Sequence, residues 1–261
     1  MSVDRTNRIR ELLADDGVAL GAELKTRSPE VIELFGELGL DYVWIDLEHG
    51  GPGPYDGATL ETYRRAAEAV GISLLVRLPS GDPPMVRKLL DTGVRTLLLP
   101  RVEAAAEVRE AVRASRFSYA GEPGDRGVGT ARGSRWGRDL ADHARREDET
   151  VLVGAMIENR RAVENLPSIL DVPELGFVFV GPADLSVSLG EPLETDAPAV
   201  EAHVDRIVRT ATDADVPVGK IATDPREIEA AIGEGCQLLR VGTDLGAIGA
   251  HFGELLEAVR E

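Results

Sequence analysis

Short apolar runs alternate with amphipathic segments along the chain, and this alternation is the strongest constraint on its fold. Nearly unbroken apolar runs are typical of parallel strands that are covered on both faces. The segments between the runs have helical spacing and helix-start signals, such as Ser28-Pro29-Glu30. Eight runs are predicted to be buried strands, at residues 18–24, 41–50, 72–79, 94–100, 151–157, 176–180, 216–222 and 236–242.

This order of elements predicts one α/β domain over residues 1–261, a single (β/α)8 TIM barrel. Such a barrel typically takes about 250 residues, and no change of composition marks a second domain. An open, doubly wound sheet is the alternative. It is disfavoured because no GxGxxG sequence opens a helix after the first strand.

The chain is strongly acidic, with 46 acidic and 29 basic residues and a formal net charge of −17. This charge disfavours binding to nucleic acid. The lysines are few, namely Lys25, Lys88 and Lys220. Because salt screens self-repulsion on such a surface, we hypothesise a halophilic source. No apolar run approaches the ~20 residues of a membrane helix and no apolar leader is recognisable, so we expect a cytoplasmic protein without a membrane partner.

Two acidic residues follow successive predicted strands. Glu158 comes directly after the fifth run, and Asp184 follows the sixth across a Gly181-Pro182 turn. The carboxyl ends of barrel strands meet at one mouth, where barrel enzymes keep their catalytic residues. Two carboxylates there predict a site for a divalent metal such as Mg²⁺ or Mn²⁺. Taken singly, Glu158 also fits a helix amino-terminal acid, and Asp184 also fits an N-cap residue.

Other polar residues end the second and third strands, namely Asp46, His49 and Arg77. A carboxylate bonded to one imidazole nitrogen leaves the other nitrogen to take a proton, so Asp46 and His49 are a candidate base. A structural histidine on a loop is the alternative. Arg77 lies in an apolar run and is not expected to stay unpaired. We expect it to form a salt bridge with Asp46 or Asp91, to stabilise an oxyanion, or to do both.

Lys220 and the segment 117–138 each allow more than one interpretation. Lys220 lies in the seventh run, where a lysine inside a barrel can form a Schiff base. An ion pair with a carboxylate of the mouth is the alternative that we favour for it. Residues 117–138 interrupt the alternation with many glycines and arginines, and a long irregular segment in a compact domain is usually functional or disordered.

Several motifs together carry a family resemblance. IDLEHG, LLVRLPSGDPPMVRKLLDTGVRTLLLPRVE, RGVGTARGSRWG, the IEN segment and GPADLS occur in this order. Over residues 18–250 the chain resembles the HpcH/HpaI family of metal-dependent, class II pyruvate aldolases, among them hydroxy-oxo-heptanedioate, dehydro-deoxy-glucarate and deoxy-rhamnonate aldolases. The resemblance implies a barrel of the phosphoenolpyruvate/pyruvate type.

The resemblance also implies a metal and substrate site. Glu158 and Asp184 match the residues that hold Mg²⁺, Mn²⁺ or Co²⁺ in the family, and pyruvate chelates that metal through its carboxylate and keto oxygens. The substrate carboxylate is implied to bind the backbone of the Gly181-Pro182-Ala183 turn. These assignments follow from matching positions in the family motifs.

Further roles are implied in the same way. His49, oriented by Asp46, matches the family base, and Arg77 matches the arginine that stabilises the enolate oxygen. Asp91 matches an acid near the site that can come from a neighbouring subunit. Family members are commonly hexamers with an exchanged C-terminal helix, so a homo-oligomer is implied. Met156 is a departure, because the family often has a glutamine there and a thioether cannot replace its hydrogen bonds.

The function predicted from these features is reversible cleavage of a 4-hydroxy-2-oxo acid to pyruvate and an aldehyde through a metal-stabilised enolate. The partners are then a small oxo acid and an aldehyde. Three alternatives remain open: a lyase of the same superfamily that acts on a CoA thioester, such as malyl-CoA or citryl-CoA, a Schiff-base aldolase that uses Lys220, and a barrel that binds an oxo acid without catalysis. The first would need a basic docking patch, for which segment 117–138 offers arginines.

Overall fold

The computed structural model describes residues 6–138 and 140–260, and in these ranges eight parallel strands close into a barrel surrounded by helices. The predicted (β/α)8 barrel is therefore confirmed. The open sheet is wrong, because the first barrel strand pairs in parallel with the last, with Ala19 opposite Leu238. Residues 1–5, Asp139 and Glu261 of the predicted domain lie outside the described residues.

The strands follow the predicted runs with small changes at their ends. The barrel is formed by β1 Ala19–Glu23, β2 Tyr42–Asp46, β3 Ser73–Arg77, β4 Thr96–Leu99, β7 Leu152–Ile157, β8 Phe177–Val180, β9 Val218–Ile221 and β10 Leu238–Thr243. A small antiparallel hairpin, β5 Ser118–Tyr119 and β6 Glu122–Pro123, lies in the predicted irregular segment.

Helices precede, connect and follow the barrel strands. They are α1 Arg8–Ala14, α2 Pro29–Glu37, α3 Gly57–Val70, α4 Pro83–Thr92, α5 Ala105–Ser115, α6 His143–Thr150, α7 Arg160–Glu164, α8 Leu166–Leu170, α9 Pro182–Leu189, α10 Pro198–Asp213, α11 Pro225–Gly233 and α12 Asp244–Arg260. The helical segment after β7 is divided into α7 and α8 near Pro167, which lies at the start of α8, where a proline is tolerated. Across the described residues, no helix has the length and apolar character needed to cross a membrane.

Side chains alternate between the inside of the barrel and the layer beneath the helices, as the period of two in a strand requires. The outer layer includes Val43, Val76, Val153 and Val178, which belong to the main core. The inside is filled by large apolar residues, namely Tyr42, Trp44, Leu75, Leu98, Leu152, Met156, Phe177, Phe179 and Leu238. The residues two positions further along these strands lie on the same inner face, and several of them are polar. This period therefore brings polar side chains to the carboxyl ends of the strands.

Candidate active site

Glu158 lies at the end of β7 and is almost fully buried, with 3% of its surface exposed. Its Oε1 accepts a hydrogen bond from the backbone N–H of Arg101, whose φ of 54° lies in the left-handed region. Its Oε2 has no hydrogen-bond partner among the described residues. The pKa of Glu158 is raised to about 7, chiefly by burial, and the charges of Asp184 and Glu48 contribute to this shift. A cation at this carboxylate would relieve both effects.

The turn after β8 brings Asp184 towards Glu158. A Cβ at Gly181 would lie 2.8 Å from Glu158 Oε2, so only glycine allows this close approach. Helix α9 then begins with Pro182 in its first turn, and Asp184 is exposed in the same turn. The first N–H groups of a helix have no partner within the helix and attract negative charge. The turn therefore offers both a carboxylate and an anion-binding helix end.

Arg77 ends β3 and is held firmly by its neighbours. Its Nε and Nη2 donate to the two carboxylate oxygens of Asp46 at 2.9 and 2.7 Å. Its Nη1 lies 3.2 Å from Glu48 Oε2 and 3.8 Å from the sulfur of Met156. Although burial favours the neutral acid, the hydrogen bonds and charge of Arg77 lower the pKa of Asp46. The expected salt bridge of Arg77 is thus formed with Asp46.

The contacts of Asp46 and His49 differ from the expected arrangement. Asp46 Oδ1 accepts hydrogen bonds from the backbone N–H groups of Glu48 and His49, at 3.0 and 3.4 Å. These bonds and the Arg77 fork engage the carboxylate that was expected to orient the imidazole. The His49 side chain is 60% exposed, and its Nε2 lies 3.6 Å from Glu48 Oε2. Asp46 therefore shapes the backbone of the loop, and Glu48 is the acid beside the ring.

Glu48 is the residue of this site that the sequence analysis did not assign. Its side chain is nearly buried, and burial raises its pKa while Arg77 opposes that shift. The signal in the sequence was its position between the two predicted residues of the DLEHG segment. The loop after β2 places the Glu48 side chain against Arg77. The spacing of the residues in the sequence did not reveal this contact.

The carboxylates at the mouth are candidate ligands for a divalent cation. Among the described residues, no three His, Cys, Asp or Glu side chains form a ready-made ligand set. The two predicted carboxylates, Glu158 and Asp184, nevertheless interact electrostatically, and one oxygen of Glu158 is orphaned. Two carboxylates with an open coordination shell fit a hard cation that takes its other ligands from water and substrate. The donor set thus fits the predicted metal.

Met156 lies directly beneath these groups. It is buried inside the barrel, next to Phe179 on the neighbouring strand. Its sulfur contacts Arg77, and its terminal methyl lies 3.0 Å from the position of a Cβ on Gly181. The floor of the site is therefore a thioether, which is at most a weak acceptor for Arg77.

Asp91 is not brought to this site within one chain. It lies in the last turn of α4, which ends just before β4 begins and therefore on the amino-terminal side of the barrel. Its carboxylate faces Gly129, and its carbonyl accepts a hydrogen bond from Gly133 N–H in the irregular segment. Any contact with the mouth must therefore involve a second copy of the chain.

Lys220 also lies apart from the mouth. Val218, two residues earlier on β9, belongs to the outer layer, so Lys220 faces the same way. Its Nζ pairs with Glu234, directly after α11. The expectation of a mouth carboxylate as its partner is wrong, because the alternation of the strand turns Lys220 towards the helices. This position also removes the ground for a Schiff base inside the barrel.

The comparisons with known proteins agree with this geometry. The sequence profile of the HpcH/HpaI aldolase/citrate lyase family matches residues 24–249. The chain is 35% identical over 225 residues to the 2-keto-3-deoxy-L-rhamnonate aldolase of Klebsiella pneumoniae, covering 86% of this chain and 82% of that protein. It is 34% identical over 250 residues to the 4-hydroxy-2-oxo-heptane-1,7-dioate aldolase of Shigella sonnei, covering 92% and 93% of the two chains.

A solved structure is similar over nearly the whole barrel. It is the crystal structure of a HpcH/HpaI aldolase/citrate lyase family protein from Burkholderia cenocepacia, with a TM-score of 0.90 and 31% sequence identity. The alignment covers 98% of this chain and 100% of that one. The family profile, the two relatives and the solved structure each match most of the chain. The chain therefore belongs to the HpcH/HpaI aldolase/citrate lyase family.

Proposed function

We propose that the chain is a metal-dependent aldolase, a carbon–carbon lyase that cleaves a 4-hydroxy-2-oxo acid reversibly to pyruvate and an aldehyde. The observation that carries this proposal is the buried carboxylate of Glu158, whose Oε2 lacks a hydrogen-bond partner among the described residues. It lies beside the Gly181 turn and interacts with Asp184. Relatives named as aldolases of 2-keto-3-deoxy and 4-hydroxy-2-oxo acids support the same chemistry.

In this proposal Glu158 and Asp184 hold the cation, with Mg²⁺, Mn²⁺ or Co²⁺ as candidates. A divalent cation bound there supplies Lewis-acid stabilisation of the negative charge that remains when the C3–C4 bond breaks. The first turn of α9, at Pro182 and Ala183, presents backbone N–H groups from Ala183 onward to the carboxylate of the oxo acid. Binding at this helix end orients C2 and C3 towards Arg77.

Arg77 stabilises the oxygen on C2 as charge develops. The salt bridge to Asp46 fixes its guanidinium before substrate binds, so little reorganisation accompanies the reaction. Its Nη1 contacts the weakly accepting sulfur of Met156 and lies 3.2 Å from Glu48 Oε2. Met156 is thereby proposed to add no strong acceptor of its own, so that Glu48 is the group with which the substrate oxygen shares this donor.

His49 removes the proton of the C4 hydroxyl in the cleavage direction and returns it in the addition direction. Its ring is accessible from the mouth, with Glu48 Oε2 3.6 Å from Nε2. A nearby carboxylate stabilises the imidazolium that forms, so Glu48 takes part in the role that sequence analysis gave to Asp46. Asp46 acts through the loop backbone and through Arg77.

The lyase acting on a CoA thioester is not favoured. It would need free arginines in segment 117–138, yet Arg126 is ion-paired with Glu147 and Arg132 is ion-paired with Glu68.

We also propose that the acid-rich composition is an adaptation to high salt in the cytoplasm, because salt screens the repulsion between acidic groups.

The proposed function is tested by exchange of the methyl protons of pyruvate in D₂O, followed by NMR in high salt. Loss of the methyl signal with Mn²⁺ and not with EDTA is expected, because enolate formation then depends on the cation. Exchange that persists in EDTA would contradict the metal site. Pyruvate binding without exchange, in folded and Mn²⁺-loaded protein, would instead support the non-catalytic barrel.

We further propose that α12 packs against another copy of the chain, as an exchanged helix in a homo-oligomer. In the family pattern this homo-oligomer is a hexamer, and it delivers Asp91 to a neighbouring site. One face of α12 carries exposed apolar residues at helical spacing, namely Leu245, Ile248, Phe252, Leu255, Leu256 and Val259. An apolar stripe of this size marks an interaction surface. It needs a partner that one copy does not provide.

The oligomer is tested by Phe252→Asp, which places a charge in the apolar stripe. Sedimentation velocity should show a smaller species than the wild-type chain, because burying an unpaired carboxylate in the interface is unfavourable. Ala250→Asp is the matched control, since it adds the same charge on the opposite, also exposed face of α12. Equal sedimentation of the two variants and the wild type would contradict the proposal.

A further inference from the structure

A second group of charged side chains lies at the mouth, on β1 and β10. Glu23, the last residue of β1, is 2% exposed, and its two oxygens are shared by two cations. Lys25 contacts Oε1 and Arg240 contacts Oε2. One carboxylate therefore faces two cations, and the group carries surplus positive charge in a mouth that is otherwise rich in carboxylates.

Trp44 connects this group to the candidate active site. Its ring centre lies 5.5 Å from the guanidinium carbon of Arg240 and 5.8 Å from that of Arg77. The ring itself is buried and meets the edge of Phe179. Because both arginines flank one rigid ring, the distance between their guanidinium carbons cannot exceed the sum of these two distances. Cation–π contact holds both arginines in the upper part of the barrel.

The hydrogen bonds of Arg240 are incomplete. Its Nε is buried and has no hydrogen-bond acceptor among the described residues, although its side chain remains 19% exposed. A buried donor without an acceptor is costly, and native structures usually provide one. Lys25 is more accessible, at 36%, and has further N–H donors beyond its contact with Glu23. Both cations can thus bind an additional anionic ligand that enters from the mouth.

We propose that Arg240 and Lys25 form a subsite for a carboxylate at the far end of the aldehyde part of the substrate. This inference rests on the proposed aldolase function and names its substrate class, an oxo acid with a second carboxylate. Arg77 marks the oxygen on C2, and Arg240 contacts the same Trp44 ring. An extended dicarboxylic oxo acid of moderate length spans the distance between the two guanidinium groups. Charge-assisted hydrogen bonds to a guanidinium and an ammonium then select the anionic substrate over a neutral one.

The test compares two acceptors for pyruvate that differ in charge, succinic semialdehyde and its methyl ester. The wild-type chain should have the higher kcat/KM with the anionic aldehyde. In Lys25→Met, the ratio of the two kcat/KM values should fall about tenfold, the usual scale for one hydrogen bond to a charged group. Arg145→Met is the matched control, because it removes one positive charge from the exposed face of α6, where Arg145 pairs with Asp142 and Glu149.

A binding measurement keeps the subsite testable whether or not the chain is active. In a Trp136→Phe background, the remaining tryptophan is Trp44, and Trp136 is itself exposed. Succinate added with EDTA should change the Trp44 emission, and Lys25→Met should raise the Kd about tenfold. The double variant Glu23→Leu with Arg240→Met removes the buried pair together, so that no buried charge is stranded and the accessible Lys25 loses only its contact with Glu23. This variant should abolish the response.

The outcomes separate the two proposals. An unchanged acceptor ratio and an unchanged succinate Kd in Lys25→Met would overturn the subsite, even in an active aldolase. Absence of pyruvate proton exchange in the Mn²⁺-loaded wild-type chain, with succinate binding that still depends on Lys25, would overturn the aldolase function and leave the anion subsite standing.

Discussion

Replacing Glu158 by alanine is expected to lower metal-dependent exchange of pyruvate protons by at least about a thousandfold. The reason is that Glu158 supplies the orphaned, buried oxygen of the proposed cation site, and Asp184 by itself is exposed. Mn²⁺ affinity, measured by titration calorimetry, should be lost together with exchange. The folded state should tolerate the change, because it removes a buried acid whose pKa is already raised to about 7 by burial.

Two further variants make this expectation specific. Glu158→Gln keeps the size of the side chain and should behave like the alanine variant, since a neutral amide lacks the negative charge that a carboxylate contributes to binding the cation. Glu164→Ala removes an exposed acid from the adjacent helix α7 and should leave Mn²⁺ affinity and exchange near the wild-type values. Wild-type exchange in Glu158→Ala would show that the cation, if needed, binds elsewhere.

Replacing Arg77 by methionine is expected to have two large effects. Exchange should fall about 10²–10³-fold, because the variant lacks the preorganised donor at the oxygen where charge develops. The free energy of unfolding should fall by about 3–5 kcal/mol, because the buried carboxylate of Asp46 loses its bidentate partner. Exchange kinetics and denaturant unfolding measure the two effects separately.

The double variant Arg77→Met with Asp46→Asn distinguishes the catalytic role from the structural one. Neutralising Asp46 removes the stranded charge, so part of the lost unfolding free energy should return. Exchange should stay low, because the donor is still missing. Recovery of exchange along with stability would mean that Arg77 acts on activity through folding alone.

Much of the fold followed from local patterns. Apolar runs such as FVFV at 177–180 have the length and composition of buried parallel strands, and the intervening segments have helical spacing. A proline at the start of a helix is also a local signal, and Pro167 lies at the start of α8. The content of segment 117–138 did not follow, because its hairpin at Tyr119 and Glu122 and its ion pairs with α3 and α6 depend on distant partners.

The candidate site could also be predicted only in part. That Asp46, Arg77, Glu158 and Asp184 lie near one mouth follows from their positions at strand ends, since parallel strands in a barrel all end on the same side. The partners of these side chains did not follow. Sequence spacing paired Asp46 with the ring of His49, whereas the folded loop turns the backbone of His49 towards Asp46 and presents Glu48 to the ring.

The sequence by itself therefore determined which residues reach the mouth, because strand period and strand order are local properties that the chain carries in its pattern. The tertiary structure decided which of them touch. Trp44 contacts both Arg240 and Arg77 although the two arginines are far apart in the chain, and Gly181 approaches Glu158 so closely that a Cβ would not fit between them. Such contacts arise from closure of the barrel, which joins residues that no local pattern relates.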